Sequence, residues 1–265
     1  MENTKVVACI DQSTYSAYVT DYAAWITNSI HKPLELFHIG DYPPLNAPTD
    51  TAQKTPRRKL LNIYYERALE KGVDPSLLQI HEEYGSFKEK VIRYEDNIDL
   101  LVMGRRGENT EKKHQDAIGK SIQKILRVLH KPVLTVAEEF KTPQNSMLAF
   151  SGSEISKRLV KHLAQEKYCL SIPLYLVMSG KPTNERQKEL DWAHQILENA
   201  GYNVISSFIL GGGTIEDTII RTVQEQCIDI LFMSAFENNS LYNLIFGSKT
   251  VDLLRYLNIP ILHLH

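Results

Sequence analysis

Residues 98–136, IDLLVMGRRGENTEKKHQDAIGKSIQKILRVLHKPVLTV, recur in weaker form at residues 228–264, IDILFMSAFENNSLYNLIFGSKTVDLLRYLNIPILHL. No other feature constrains the fold as strongly. Each copy reads as a short apolar strand, a polar loop, an amphipathic helix and a second apolar strand that begins after a proline. Asp99 pairs with Asp229 at an offset of 130, and Gly119 with Gly247 and Pro132 with Pro260 at an offset of 128. The first copy therefore has two extra loop residues between Gly107 and Gly119. The helix faces also correspond: Ile118, Ile122, Ile125, Leu126 and Leu129 match Phe246, Thr250, Leu253, Leu254 and Leu257. A chain that repeats an element of this size carries two related domains, and the polar Pro-containing run KTPQN at residues 141–145 marks the join. The expected boundaries are 1–142 and 143–265.

Within each half, strands and helices alternate. In the first, strands are expected at residues 5–10, 34–39, 77–83, 98–103 and 133–136, with helices after Ser13 or Thr14 as cap, over 56–71, over 87–95 and from Gly119. The first helix places Tyr18, Tyr22, Trp25, Ile26 and Ser29 on one stripe. In the second half, strands are expected at 148–151, 173–178, 204–210, after Ile228 and at 261–264. Helices lie at 154–165, 183–199 and from about 214 to 226. Continuous short apolar runs are the mark of strands buried on both faces. Five alternations per half imply an α/β fold: two tandem domains, each a five-stranded parallel sheet with helices on both faces. Ligands of such sheets bind outside the carboxyl ends of the strands, where Asp11 and Gly104 both fall. The Pro-rich loop at residues 40–55 is long for a compact domain and reads as a lid, a contact surface or an exposed insert.

Composition excludes several classes. A net charge of −2 gives no electrostatic footprint for nucleic acid or anionic membrane. No apolar run approaches the ~20 residues of a membrane span. The N-terminus lacks a signal-peptide core. Cys9, Cys169 and Cys227 lie far apart in apolar surroundings and read as reduced core residues. A soluble cytoplasmic protein is the expectation.

A glycine-bearing loop between a parallel strand and a helix start suits an anion, because the backbone can approach a ligand and free N–H groups point at a phosphate. The first copy offers Gly104, Gly107 and Gly119-Lys120-Ser121. The second offers Ser234, Glu237 and Gly247-Ser248-Lys249-Thr250. At these residues the chain resembles the universal stress protein family in its tandem two-domain form, over essentially its whole length. Nucleotide-binding members carry G-x2-G-x9-G-[ST] after the fourth strand and an Asp at the end of the first. The resemblance implies that Asp11 meets adenine and that Ile39 and Met103 line the adenosine pocket. It further implies that Gly104 and Gly107 approach ribose and phosphate, and that Gly119, Lys120 and Ser121 hold the phosphates. It adds the strand order 3-2-1-4-5 and pairing of the two domains through their fifth strands, as in a dimer of one-domain relatives, with homo-oligomerisation left open.

Both halves depart from the pattern. In the first, the second gap is eleven residues and Lys120 stands where Ser or Thr is expected. In the second, Ser234 and Glu237 replace two glycines, Ser151 replaces the Asp, and Gly247, Ser248, Lys249 and Thr250 follow as a second candidate site. There the plain alternative is a helix start and cap.

Other chemistries fit poorly. A P-loop needs a glycine where His114 stands. His263 and His265 share a strand face but lack a third ligand. His38 reads as a core or rim histidine. Ser13, Ser151 and Ser153 lack a nucleophile elbow, and Gly211 to Gly213 form a turn without a Lys-Ser/Thr partner. No catalytic constellation, metal site or permanent cofactor is expected. The functional expectation is a non-enzymatic stress-response protein. It binds ATP or a related adenine nucleotide, with Mg2+, in its first domain and acts on an unidentified protein partner. The alternative is an interaction protein whose sites have decayed, and a slow ATPase is a third reading.

Overall fold

The computed structural model describes residues 4–40, 54–106, 119–179, 181–210, 215–234 and 257–264. The chain divides into two compact units, Met1–Phe140 and Lys141–His265. The division falls two residues before the boundary read from the KTPQN run.

In the first unit the strands are β1 (Lys5–Cys9), β2 (Leu34–Gly40), β3 (Leu78–Tyr84), β4 (Ile98–Gly104) and β5 (Val133–Val136). All neighbouring pairs are parallel, and the order is β3-β2-β1-β4-β5. The helices are α1 (Tyr15–Ile30), α2 (Lys54–Glu70), α3 (Phe87–Arg93) and α4 (Lys120–Leu126). β1 is central, and its Val6, Val7 and Ala8 are fully buried. They pack beside Leu34 and Leu36 of β2 and Leu100, Leu101 and Val102 of β4, all without solvent contact. Burial of each Val or Leu side chain contributes about 1.5–3 kcal/mol. This explains why these strands read as unbroken apolar runs.

The stripe read on α1 is corrected. Ser29 is exposed and Tyr18 and Trp25 are only half-buried, whereas Tyr15, Val19, Tyr22, Ala23 and Ile26 are buried. Asp21 is buried as well, because Arg67 of α2 grips it through Nε and Nη2, each 2.7 Å from a carboxylate oxygen. A helix covered by the sheet on one side and by α2 on another buries more than one stripe. The cap is corrected too. Thr14 makes no side-chain cap bond, and the Ser13 hydroxyl turns back to Asp11.

The second unit repeats the plan with β6 (Ser146–Ala149), β7 (Leu174–Ser179), β8 (Val204–Leu210), β9 (Ile230–Ser234) and β10 (Ile261–Leu264). These run parallel in the order β8-β7-β6-β9-β10. Its helices are α5 (Glu154–Glu166), α6 (Asn184–Asn199) and α7 (Ile215–Glu225). β6 starts two residues before the expected strand because Ser146 bonds through its backbone N–H and its hydroxyl to the Pro173 carbonyl. The two aspartates that mark the repeat are structural. Asp99 meets Lys32 at 2.7 Å. Asp229 meets Lys141 at 2.6 Å and accepts the N–H groups of Gln144 and Asn145.

Of the cysteines, Cys169 is buried, Cys9 is partly so, and Cys227 is exposed, contrary to its reading as a core residue. It sits at positive φ just past α7, where the chain turns at the surface. No described helix is long and apolar enough to cross a membrane. His263 is buried, and the described residues contain no group of three metal-ligating side chains. The 40–55 loop (apart from residues 40, 54 and 55), the triple glycine and His265 lie outside the described residues.

Candidate functional site

A cleft of about 400 Å3 opens in the first unit, a volume suited to a small organic ligand. It lies at the carboxyl ends of β1, β2 and β4. The strand order reverses between β1 and β4, and this switch point is where the loops leaving two adjacent strands part to opposite faces of the sheet.

Asp11 is the first residue but one after β1. Its Oδ1 accepts the N–H of Ser13 at 2.9 Å and the Ser13 hydroxyl. Its own N–H donates to Ser16 Oγ at 2.9 Å. The Ser16 hydroxyl in turn lies 2.8 Å from the Asp11 carbonyl and 3.1 Å from Oδ1. These bonds fix the carboxylate at the cleft wall and leave little rotamer freedom. Packing around Cys9 holds its thiol pKa well above the ordinary range, and the charge of Asp11 adds to this.

The second wall comes from the end of β4. Met103, Gly104, Arg105 and Arg106 all line the cleft. Gly104 is dictated by packing: a Cβ there would stand 2.6 Å from Tyr15 Cβ and 2.9 Å from its Cγ. Arg105 is buried, and burial pushes its guanidinium down to about 10, still cationic at neutral pH. Arg106 Nη1 donates to Glu138 Oε1 at 2.8 Å, and the Tyr15 hydroxyl donates to the same oxygen at 2.9 Å. Burial, then the bond to Glu138, raises the Tyr15 phenol well above its usual range.

β2 contributes His38 and Ile39. His38 is buried at the cleft rim, with Nδ1 2.7 Å from the Ile10 carbonyl. A carbonyl only accepts, so Nδ1 carries the proton. Gly85, at φ +119, turns the chain from β3 into α3 and bonds back to the Gly40 carbonyl at 2.9 Å. Gly119 and Ser121 close the remaining side. Gly119 precedes α4, but its N–H is taken by the Arg105 carbonyl at 2.9 Å. That N–H is therefore not available to a ligand.

Asp11, Ile39, Met103, Gly104, Gly119 and Ser121, scattered over 111 positions of the sequence (121 − 11 + 1), thus line one cleft. Lys120 begins α4. Gly107, and Gly247, Ser248, Lys249 and Thr250 of the second copy, lie outside the described residues. Sequence reasoning overlooked Arg105, Arg106, Tyr15 and Ser16. The two arginines stand in plain view inside G-x2-G. The serines had a signal as well, because Asp11-x-Ser13-x-x-Ser16 returns as Ser151-x-Ser153-x-x-Ser156 at an offset of 140. In the second unit the three hydroxyls bond to one another at 2.8–3.2 Å. The scaffold is kept there while the carboxylate is gone.

Sheet order, cleft position and lining together define a doubly wound α/β domain with a ligand-sized crevice at its switch point. The model of the Universal stress protein family matches residues 2–137, just over half of the chain, and the chain belongs to that family. It is 24% identical to the universal stress protein Slr1230 of Synechocystis, over 97% of this chain and 98% of that protein. Among solved structures it is similar to a universal stress protein from Archaeoglobus fulgidus, at 15% identity and TM-score 0.71, covering 99% of this chain and 96% of that one. A functionally unknown protein from Pseudomonas aeruginosa shares the fold at 15% identity and TM-score 0.65, covering 98% and 92%.

Proposed function

We propose that the first unit binds ATP or a related adenine nucleotide in the β1–β4 cleft and that the protein acts by binding, not by turnover. The observation that carries this reading is the immobilised Asp11 carboxylate at the end of β1, facing a cleft of nucleotide size. A fixed carboxylate accepts a ribose hydroxyl or an adenine N–H without further ordering cost. Ile39 and Met103 supply apolar surface for the base, and Arg106 and the amides after Gly119 supply donors for phosphate. Asp11 is the one carboxylate among the described lining residues. Magnesium would therefore arrive on the triphosphate and not in a cage of protein ligands. In the second unit the loss of this charge at Ser151 favours a degenerate site. Action on a stress-related protein partner in the cytoplasm is part of the same proposal.

Calorimetry of the full chain with ATP and magnesium tests it, with Asp11→Ala and Asp11→Asn alongside. Saturable binding that weakens at least tenfold in both variants is expected. No binding at millimolar nucleotide, or unchanged affinity in the variants, overturns it. One observation favours the rival reading of a ligand-free interaction protein: Gly104 has a structural reason to be there, the Tyr15 ring laid over it. A nucleotide-dependent rise in Tm counts against that rival.

A further inference from the structure

The cleft's charge balance is set by residues that no family motif in the sequence marks. Among the described residues two cations line it, Arg105 and Arg106. Arg105 is buried, with 5% of its surface exposed, and lies among Tyr15 and Tyr22. Arg106 is the more exposed of the two, its side chain keeping 22% exposure. A guanidinium has five N–H donors, and Arg106 commits Nη1 to Glu138. Glu138 is well placed to hold it. It follows β5, and its neighbours are tethered: Tyr22 donates to the Glu139 carbonyl at 3.3 Å and packs edge-on against Phe140 at 4.8 Å. The Tyr15 hydroxyl fixes the same Glu138 oxygen that Arg106 uses. The carboxylate is nevertheless 55% exposed, so its grip on Arg106 is screened and weak enough to be exchanged.

Resting on the nucleotide reading of this cleft, we propose that the Arg106–Glu138 pair, anchored by the Tyr15 hydroxyl, is the element that sets how strongly the cleft prefers phosphorylated over unphosphorylated occupants. Without a ligand, Glu138 offsets the Arg106 charge, and the Arg105 and Asp11 charges balance, so the described lining holds no net attraction for an anion. A phosphate oxygen competes with Glu138 for the guanidinium and takes it over by a charge-assisted bond. Neutral adenosine has nothing to offer Arg106 and leaves the pair closed. Glu138 is therefore a specificity-determining residue that acts through Arg106.

The test is calorimetry on the full chain with ATP and with adenosine, for the native protein, Glu138→Gln, Arg106→Gln and the double variant. Glutamine keeps the size of Glu138 and can still accept the Tyr15 and Arg106 donors. Glu138→Gln is expected to tighten ATP about fivefold, the scale of one partly exposed ion pair, with adenosine within twofold of native. Arg106→Gln should weaken ATP about tenfold, again sparing adenosine. In the double variant the gain from Glu138→Gln should vanish, because the two residues act as one unit. The ATP preference of Glu138→Gln should also fall more steeply with salt than that of the native chain. Asp11-dependent ATP binding that Glu138→Gln leaves unchanged, or equal shifts for ATP and adenosine, would sink this inference and leave the nucleotide reading standing. Absence of ATP binding in every variant would overturn both.

Discussion

Gly104 and Tyr15 occupy each other's space: a Cβ on Gly104 would stand 2.6 Å from Tyr15 Cβ. The end of β4 therefore reaches the cleft only because α1 begins with an aromatic ring laid on a residue without a side chain. The same Tyr15 carries its hydroxyl to Glu138. One contact thus joins the packing of the first helix to the polar rim of the cleft.

Gly104→Ala should destabilise the first unit by about 1–3 kcal/mol, the usual cost of overpacking. Urea denaturation gives the change. A stability within 0.5 kcal/mol of native, on the order of a neutral surface substitution, would show that Tyr15 yields easily and that Gly104 is held for another reason.

Arg67→Ala leaves the Asp21 carboxylate, 3% exposed, with Lys71 at 3.5 Å as its remaining ion partner among the described residues. Breaking a buried pair costs about 3–5 kcal/mol, and the remaining lysine brings the expected loss to roughly 2–3 kcal/mol. The Asp21→Asn, Arg67→Ala double variant should recover part of it, because no buried charge is then stranded.

Asp229 predicts an acid limit on the second unit. Burial works to raise its pKa, but the Lys141 ammonium and the N–H groups of Gln144 and Asn145 outweigh burial and hold it below its usual value. A carboxylate depressed in the folded state contributes stability that is complete above its unfolded pKa. That stability is lost as pH falls through the folded value. Stability should therefore decline below about pH 4, and Asp229→Asn should flatten that decline while lowering stability at pH 7. An unchanged slope in the variant would refute it.

Gly152 holds φ +84, and a Cβ there would collide with the Glu189 carboxylate. Two costs are separable. Gly152→Ala should lose about 1–2 kcal/mol from backbone strain alone, plus the clash. Adding Glu189→Ala should relieve the clash only, since the backbone strain remains. Full rescue would mean that φ at this position adapts freely.

Much of the fold was legible because parallel strands buried on both faces write themselves as short unbroken apolar runs, as in VVAC of β1 and LLVM of β4. The doubled segment disclosed two units by simple comparison. Where the reading slipped, tertiary contacts were responsible. The α1 stripe failed because the sheet and α2 cover different sides of α1, and Arg67 of α2, forty-six residues away, draws Asp21 inside as well. The cap of α1 failed because Ser13 serves Asp11 instead.

At the cleft, chain order alone places an acid just past β1, Gly104 and then two arginines at the end of β4, and a serine in the first turn of the next helix. Those follow from local order along the chain, since each strand end is also a loop start. What each of these residues is free to do depends on its neighbours in the folded chain. The fold spends the Gly119 amide on the Arg105 carbonyl, fills the space over Gly104 with Tyr15, and ties Arg106 to Glu138, thirty-two residues on. The physical reason is that hydrogen bonds and excluded volume act between neighbours in space, and the sheet brings together partners whose separation in the chain carries no trace of the meeting.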